Sequence, residues 1–118
     1  MNHQEYNGWW NYETWVVSLW MDNDPSSYGY WRTATEEVWG ESEPDAHFTR
    51  KERARLTLAD RLKDEHEELL PEVEGFASDL LGAAMSEVNW HEIAENLLEE
   101  YKDGPEDEED GEAEVAAE

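Results

Sequence analysis

Apolar side chains recur every three or four positions along most of this chain, and nowhere do they alternate with the two-residue rhythm of a half-buried strand. That spacing commits the chain to amphipathic helices that share a core. Cap and breaker residues divide it into five. Asn11 is a good N-cap for a first helix with Tyr12, Trp15, Val16, Leu19 and Trp20 on one stripe, ending near Asp22-Asn23. Asp24-Pro25 restarts the chain as N-cap and N1. The second helix carries Tyr28, Trp31, Ala34 or Thr35, and Val38, with Gly40 as its C′ residue. A polar linker follows from Glu41 to Ala46. The third helix is expected from Thr49 to Leu70, with Leu58, Ala59, Leu62, His66 and Leu69 on one face and Pro71 as its stop. The fourth shows Phe76, Ala77, Leu80, Leu81, Ala84 and Val88. The fifth opens at Asn89, with Glu92 placed for a capping-box-like arrangement. Trp90, Ile93, Ala94, Leu97, Leu98 and Tyr101 form its stripe, and Gly104 is its expected end.

The expected fold is therefore all-α, a compact single domain of four to five helices over residues 11–102. An N-terminal arm, 1–10, precedes it and an acidic tail, 103–118, follows. The tail holds nine acids with no base and no aromatic residue. It cannot bury enough surface to offset chain entropy, so disorder is expected there.

Charge narrows the function classes. The full chain has 32 acids against 8 bases, a net charge of −24. Residues 1–102 alone keep 23 acids and all 8 bases. Affinity for DNA or RNA rests on clustered Lys and Arg, and the one basic cluster, Arg50-Lys51-Glu52-Arg53-Ala54-Arg55, is short. Direct nucleic-acid binding is not expected. With no Cys, disulfides and thiolate metal sites are excluded. No apolar run reaches the roughly 20 residues of a membrane span, and the N-terminus lacks the pattern of a signal peptide. A cytoplasmic protein is expected, with no membrane contact. Acids outnumber bases fourfold and Arg outnumbers Lys, a balance similar to that of halophilic proteins, in which concentrated salt screens self-repulsion.

The chain also holds seven Trp, five Tyr and two Phe, most of them before residue 40. Core packing accounts for many, but a domain this small does not hide them all. Trp9, Trp10 and Trp39 are expected to be partly exposed and to contribute to a partner-binding patch, because Trp and Tyr dominate interface hot spots. A second candidate surface is an acidic row on the third helix: Asp60, Asp64, Glu67 or Glu68, and Glu72, about one turn apart.

Tyr6-Asn7-Gly8-Trp9-Trp10-Asn11-Tyr12-Glu13-Thr14-Trp15, followed by Leu19-Trp20-Met21-Asp22-Asn23-Asp24, resembles a family of small uncharacterised proteins of phages, plasmids and haloarchaeal genomes. Its signature is Asn-Gly-Trp-x-Asn-Tyr-x-Thr-Trp. Leu80-Leu81-Gly82-Ala83-Ala84 and Val88-Asn89-Trp90-x-Glu92-Ile93-Ala94 are similar to the family's C-terminal half. The resemblance implies a mobile-element setting and carries no activity with it.

Catalytic chemistry finds little support. His91-Glu92-x-x-Glu95 lacks the second His of a zincin helix. Asp22-Asn23-Asp24 fails as a calcium loop, because Ser27 and Thr33 stand where Gly and Glu belong. His66 reads as a half-buried, hydrogen-bonded core residue. Carboxylate pairs are too common here to single out a glycosidase-like couple. A non-enzyme with no metal and no cofactor is expected.

The expected function is an acidic protein-binding domain of mobile-element type, in one form a DNA mimic that inhibits a nucleic-acid-binding host protein. Mimicry needs clustering. A ~12 kDa domain exposes roughly 6,000 Å², or roughly 260 Å² per acid, against roughly 110 Å² per phosphate on B-DNA. The alternative is a salt-adapted regulatory or housekeeping domain whose acidity serves solvation only. A monomer or weak homodimer is expected.

Overall fold

A computed structural model describes residues 4–103. Five helices account for most of them: α1 Tyr12–Asn23, α2 Pro25–Glu41, α3 Arg50–Glu68, α4 Phe76–Ser86 and α5 Trp90–Leu97. Among the described residues there is no β-strand, only an isolated bridge between Tyr6 and Trp9. The all-α expectation holds. The acidic tail beyond Asp103 and the expected stop at Gly104 lie outside the described residues.

The N-cap residues Asn11, Asp24 and Asn89 act as read. Asn11 accepts the Thr14 N–H, Asp24 accepts the Ser26 N–H with Pro25 behind it, and Asn89 accepts the Glu92 N–H. Thr49 and Glu52 close a full capping box on α3. α2 runs one residue past Gly40, which stays helical, and Ser42 caps it. α3 stops at Glu68, so Glu72 lies in the connection beyond it and not on the helical row with Asp60 and Asp64.

The core is built mainly by α2, α3 and α5, with Met21 contributed by α1. Trp31, Ala34 and Val38 of α2 meet Ala54, Leu58, Ala59 and Leu62 of α3, and Trp90, Ile93, Ala94 and Leu98 close it from α5. His66 sits between two indoles, stacked on Trp31 at 5.5 Å and tilted against Trp90 at 5.3 Å. Its Nδ1 lies 2.7 Å from the Leu62 carbonyl, which makes that nitrogen the protonated one. Arg61 ties α3 to α2, donating to Glu37 at 3.2 Å, Glu65 at 2.9 Å and the Tyr30 hydroxyl at 3.1 Å. Glu65 is held below the ordinary carboxylate range, first by the Tyr30 hydroxyl and then by Arg61.

Two helices depart from expectation. α1 buries Thr14, Ser18 and Met21 and turns its apolar stripe outward. α4 buries none of its residues, although its apolar spacing was regular.

The α2–α3 connection is organised by Asp45. Its carboxylate accepts the N–H groups of His47 and Phe48, each at 2.8 Å, and pairs with Arg53 at 2.6 Å. Those two N–H groups, with Arg53 after them, hold Asp45 below the usual carboxylate range. A depressed native pKa gives stability that is complete above the unfolded value of about 4 and is lost as pH falls through the native value. Asp45→Ala is therefore expected to melt below wild type at neutral pH, with the gap closing under acid. Paired thermal melts across the acid range check this. A gap that stays constant into strong acid means the carboxylate charge is not what orders the loop.

Candidate functional site

The outward turn of α1 has a local cause in hydrogen bonding. Asn7 and Gly8 both have positive φ, 49° and 88°, the signature of a type I′ turn. The turn pairs Tyr6 with Trp9 through backbone bonds of 2.9 and 2.8 Å and folds the arm back onto the domain. Asn11 then enters a buried polar clamp. Its Oδ1 accepts from the Thr14 N–H at 2.9 Å and from the Thr14 hydroxyl at 2.6 Å. Its Nδ2 donates to the Glu87 carbonyl at 2.6 Å. The Asn89 N–H donates to the Thr14 hydroxyl oxygen at 2.9 Å. The Trp10 N–H reaches Glu92 Oε1 at 2.8 Å. Glu92 thus caps across the domain and does not close a capping box on its own helix.

This clamp binds the start of α1 to the α4–α5 junction by its polar edge. Thr14 is fully buried and satisfied, while the Ser18 hydroxyl beside it is buried without a hydrogen-bond partner. With the polar edge inward, the apolar stripe has only one direction left. Trp20 is 70% exposed and Tyr12 52% exposed, with Leu19 also open to solvent and Trp15 and Val16 half-buried. Tyr6 joins them. Its ring lies 5.0 Å from Tyr12 and 4.9 Å from Trp15, and Tyr12 and Trp15 are 5.6 Å apart. These centroid distances belong to attractive edge and tilted arrangements. The three rings therefore support one another as a single aromatic cluster.

Glu5, Glu13, Asp22 and Asp24 flank these aromatic residues in sequence, and no Lys or Arg occurs from Gln4 through Trp31, while Arg32 lines a cleft with Asp22. Aromatic rings with flanking carboxylates suit a cationic side chain, by cation–π attraction and by ion pairing.

The structure divides the residues singled out from sequence. Trp10 is exposed on the arm, next to the clamp. Trp9 and Trp39 are half-buried, partly exposed as expected, and each packs one side against the core. Trp39 lies 5.2 Å from the Tyr101 ring, and the Arg50 guanidinium sits 4.1 Å above it while donating to its carbonyl. Asp60, Asp64, Glu67 and Glu68 are exposed along α3 as expected, but Glu67 pairs with Lys63 at 3.2 Å. Glu72 is exposed off the helix. Trp20 and Tyr12, the most open aromatic residues of the N-terminal half, were assigned to the core by their periodicity.

Other candidate chemistry is placed as follows. His91 is exposed, and Glu95 pairs with Arg55 at 3.2 Å. Among the described residues, no three His, Asp or Glu side chains converge as metal ligands do. A cleft of about 280 Å³ is lined by residues that include Asp22, Tyr28, Arg32, Glu99 and Tyr101. Burial, followed by the charge of Glu36, pushes the Tyr101 phenol up, so it stays protonated at neutral pH. Among the described residues, no helix is long and apolar enough to cross a membrane.

Fold and surface together define a small acidic all-α domain that turns an aromatic helix face to solvent. The chain belongs to DUF7249, a family of unknown function, whose profile matches residues 2–107. No curated protein and no solved structure matches it.

Proposed function

We propose that this protein is a non-enzymatic binding domain that docks a basic protein partner in the cytoplasm through the outward face of α1. One observation supports the reading above others. Trp20 and Tyr12 stand open on a stretch that carries acids and no base. Large aromatic residues held in solvent by a satisfied polar clamp are unusual unless something covers them. The mobile-element setting rests on the N-terminal signature alone. A nucleic-acid-binding host protein would present the right charge, and Asp60, Asp64 and Glu68 on α3 would add phosphate-like contacts. Imitation of DNA is a subsidiary form of the reading, because Lys63 pairs with Glu67 of that row and Arg61 adds a second cation on the same helix.

The test is affinity capture from the source cells at their own salt concentration, with wild-type and Tyr12→Ala/Trp20→Ala baits in parallel. The expected result is a basic protein retained by wild type and lost from the double variant. Equal retention by both baits removes α1 from the reading.

A second reading has its own support. Exposed acids occur on every helix, from Asp22 on α1 to Glu95 on α5, as salt adaptation requires. If solvation is the whole purpose of the acidity, the melting temperature rises steeply between low salt and molar KCl as self-repulsion is screened. A flat response in thermal melts eliminates this reading.

A further inference from the structure

The regular apolar spacing of α4 leads to exposed side chains. Only Leu81, Ala84 and Met85 turn partly toward the body of the domain. Phe76 is 77% exposed and Leu80 is 58% exposed, and Leu69, on the connection leading to α4, is 78% exposed. Phe76, Leu80 and Ala83 fall on one side of the helix at the 3.6-residue period. From Gly75 to Ser86 the chain carries one charged residue, Asp79. This is a charge-poor window in a chain that is 34% charged.

We propose that α4 is a self-association face and that its occupant is α4 of a second copy of this chain, packed antiparallel across a two-fold axis. Three features support a second copy. The first is shape. The face is large at one end, with Phe76 and Leu80, and small at the other, with Ala83. A two-fold axis sets the large end of each copy against the small end of the other. The second is area. Leu69, Val73, Phe76 and Leu80 leave roughly 500 Å² of apolar surface open, taking about 200 Å² per large side chain. A standard stable interface buries about 800 Å² per partner, somewhat over half of it apolar. The patch is close to that apolar share, which fits a weak dimer. The third is charge. A basic partner finds one carboxylate here, and the chain's own tail brings many acids and no aromatic residue. Neither complements Phe76 and Leu80 as a second copy does.

The axis passes near Asp79 and Leu80, so the two Asp79 carboxylates approach each other. Their repulsion, and that between two acidic bodies, opposes dimerisation. Salt therefore tightens the dimer, as the screening length falls from ~10 Å at 0.1 M to ~3 Å at 1 M. A basic partner on α1 is weakened by the same salt, so the two surfaces respond in opposite directions.

Sedimentation velocity on the full chain tests this, from micromolar to millimolar protein, in dilute buffer and in molar KCl. The expected result is a monomer in dilute buffer and a concentration-dependent dimer in KCl. Phe76→Ser and Leu80→Ser each weaken the dimer by at least about tenfold. Asp79→Asn strengthens it by roughly threefold. These variants should fold, since α4 buries nothing, and circular dichroism checks that they do. A monomer under all conditions overturns the proposal. So does a dimer that survives Phe76→Ser and Leu80→Ser but is lost in Trp20→Ala.

Discussion

Asn11→Ala is expected to destabilise the domain by about 2–4 kcal/mol, the largest effect predicted for any polar residue here. The figure combines two losses. Removing an N-cap side chain costs about 1 kcal/mol. Leaving buried partners unsatisfied costs about 1–3 kcal/mol more. The stranded groups are the Glu87 carbonyl, which loses the Nδ2 donor, and the Thr14 hydroxyl, which loses its acceptor. For a domain near 100 residues, this lowers the melting temperature by on the order of 15 °C. Thermal melts by circular dichroism in molar KCl give the number with self-repulsion screened. Thr14→Val should behave similarly, because the Asn89 N–H is then orphaned, while Thr14→Ser keeps the hydroxyl and most of the stability. An Asn11→Ala loss below about 1 kcal/mol would show that the clamp is ornamental, and α1 would then need another reason to face outward.

The helix ends were legible because they are local. Asn11, Asp24-Pro25 and Asn89 cap through neighbours two or three residues away, and the caps formed as read. The direction of α1 was not legible, because it depends on partners 75 and 76 residues away, Asn89 and Glu87. Periodicity locates an apolar face but cannot say whether the opposite polar face has found buried partners. Here it had, so Thr14 went in and Trp20 came out. α4 failed for the complementary reason. α2, α3 and α5, with Met21 of α1, already close the core, and the apolar spacing of Phe76 and Leu80 met no partner surface. One signal was present and missed: Asn7-Gly8 is a strong two-residue turn sequence, and it folds the arm that brings Tyr6 to Tyr12. Of the Trp residues chosen as candidates, all three keep some exposure, but Trp9 and Trp39 lean on the core and Trp10 is the most open. Sequence readings fail most often where a site has been kept open at some cost to packing. Both failures here fall on the two exposed apolar faces to which we assign binding.

Trp20→Ala should weaken docking of a basic partner by ten- to thirtyfold, about 1.4–2 kcal/mol, as expected for an aromatic anchor near the centre of an interface. A measurable probe is an amphipathic helical peptide with Leu on one face and Arg on the other. Its Leu face meets Tyr12, Trp15, Val16 and Leu19, and its Arg residues reach Glu13, Asp22 and Asp24. Calorimetry of wild type against Trp20→Ala gives the difference directly. The fold should not change, because Trp20 is largely in solvent, and equal melting temperatures of the two proteins serve as the control. Salt separates the two components of the affinity. Raising KCl should weaken the wild-type complex through its carboxylates, while the fold-difference between wild type and Trp20→Ala persists, since that difference is mostly apolar area and ring contact. Exchanging Arg for Lys in the peptide should cost further affinity, because a guanidinium stacks on indole and an ammonium does not. A Trp20→Ala complex as tight as wild type, with unchanged salt dependence, would mean that the peptide is held by general acidity and that the aromatic stripe takes no part.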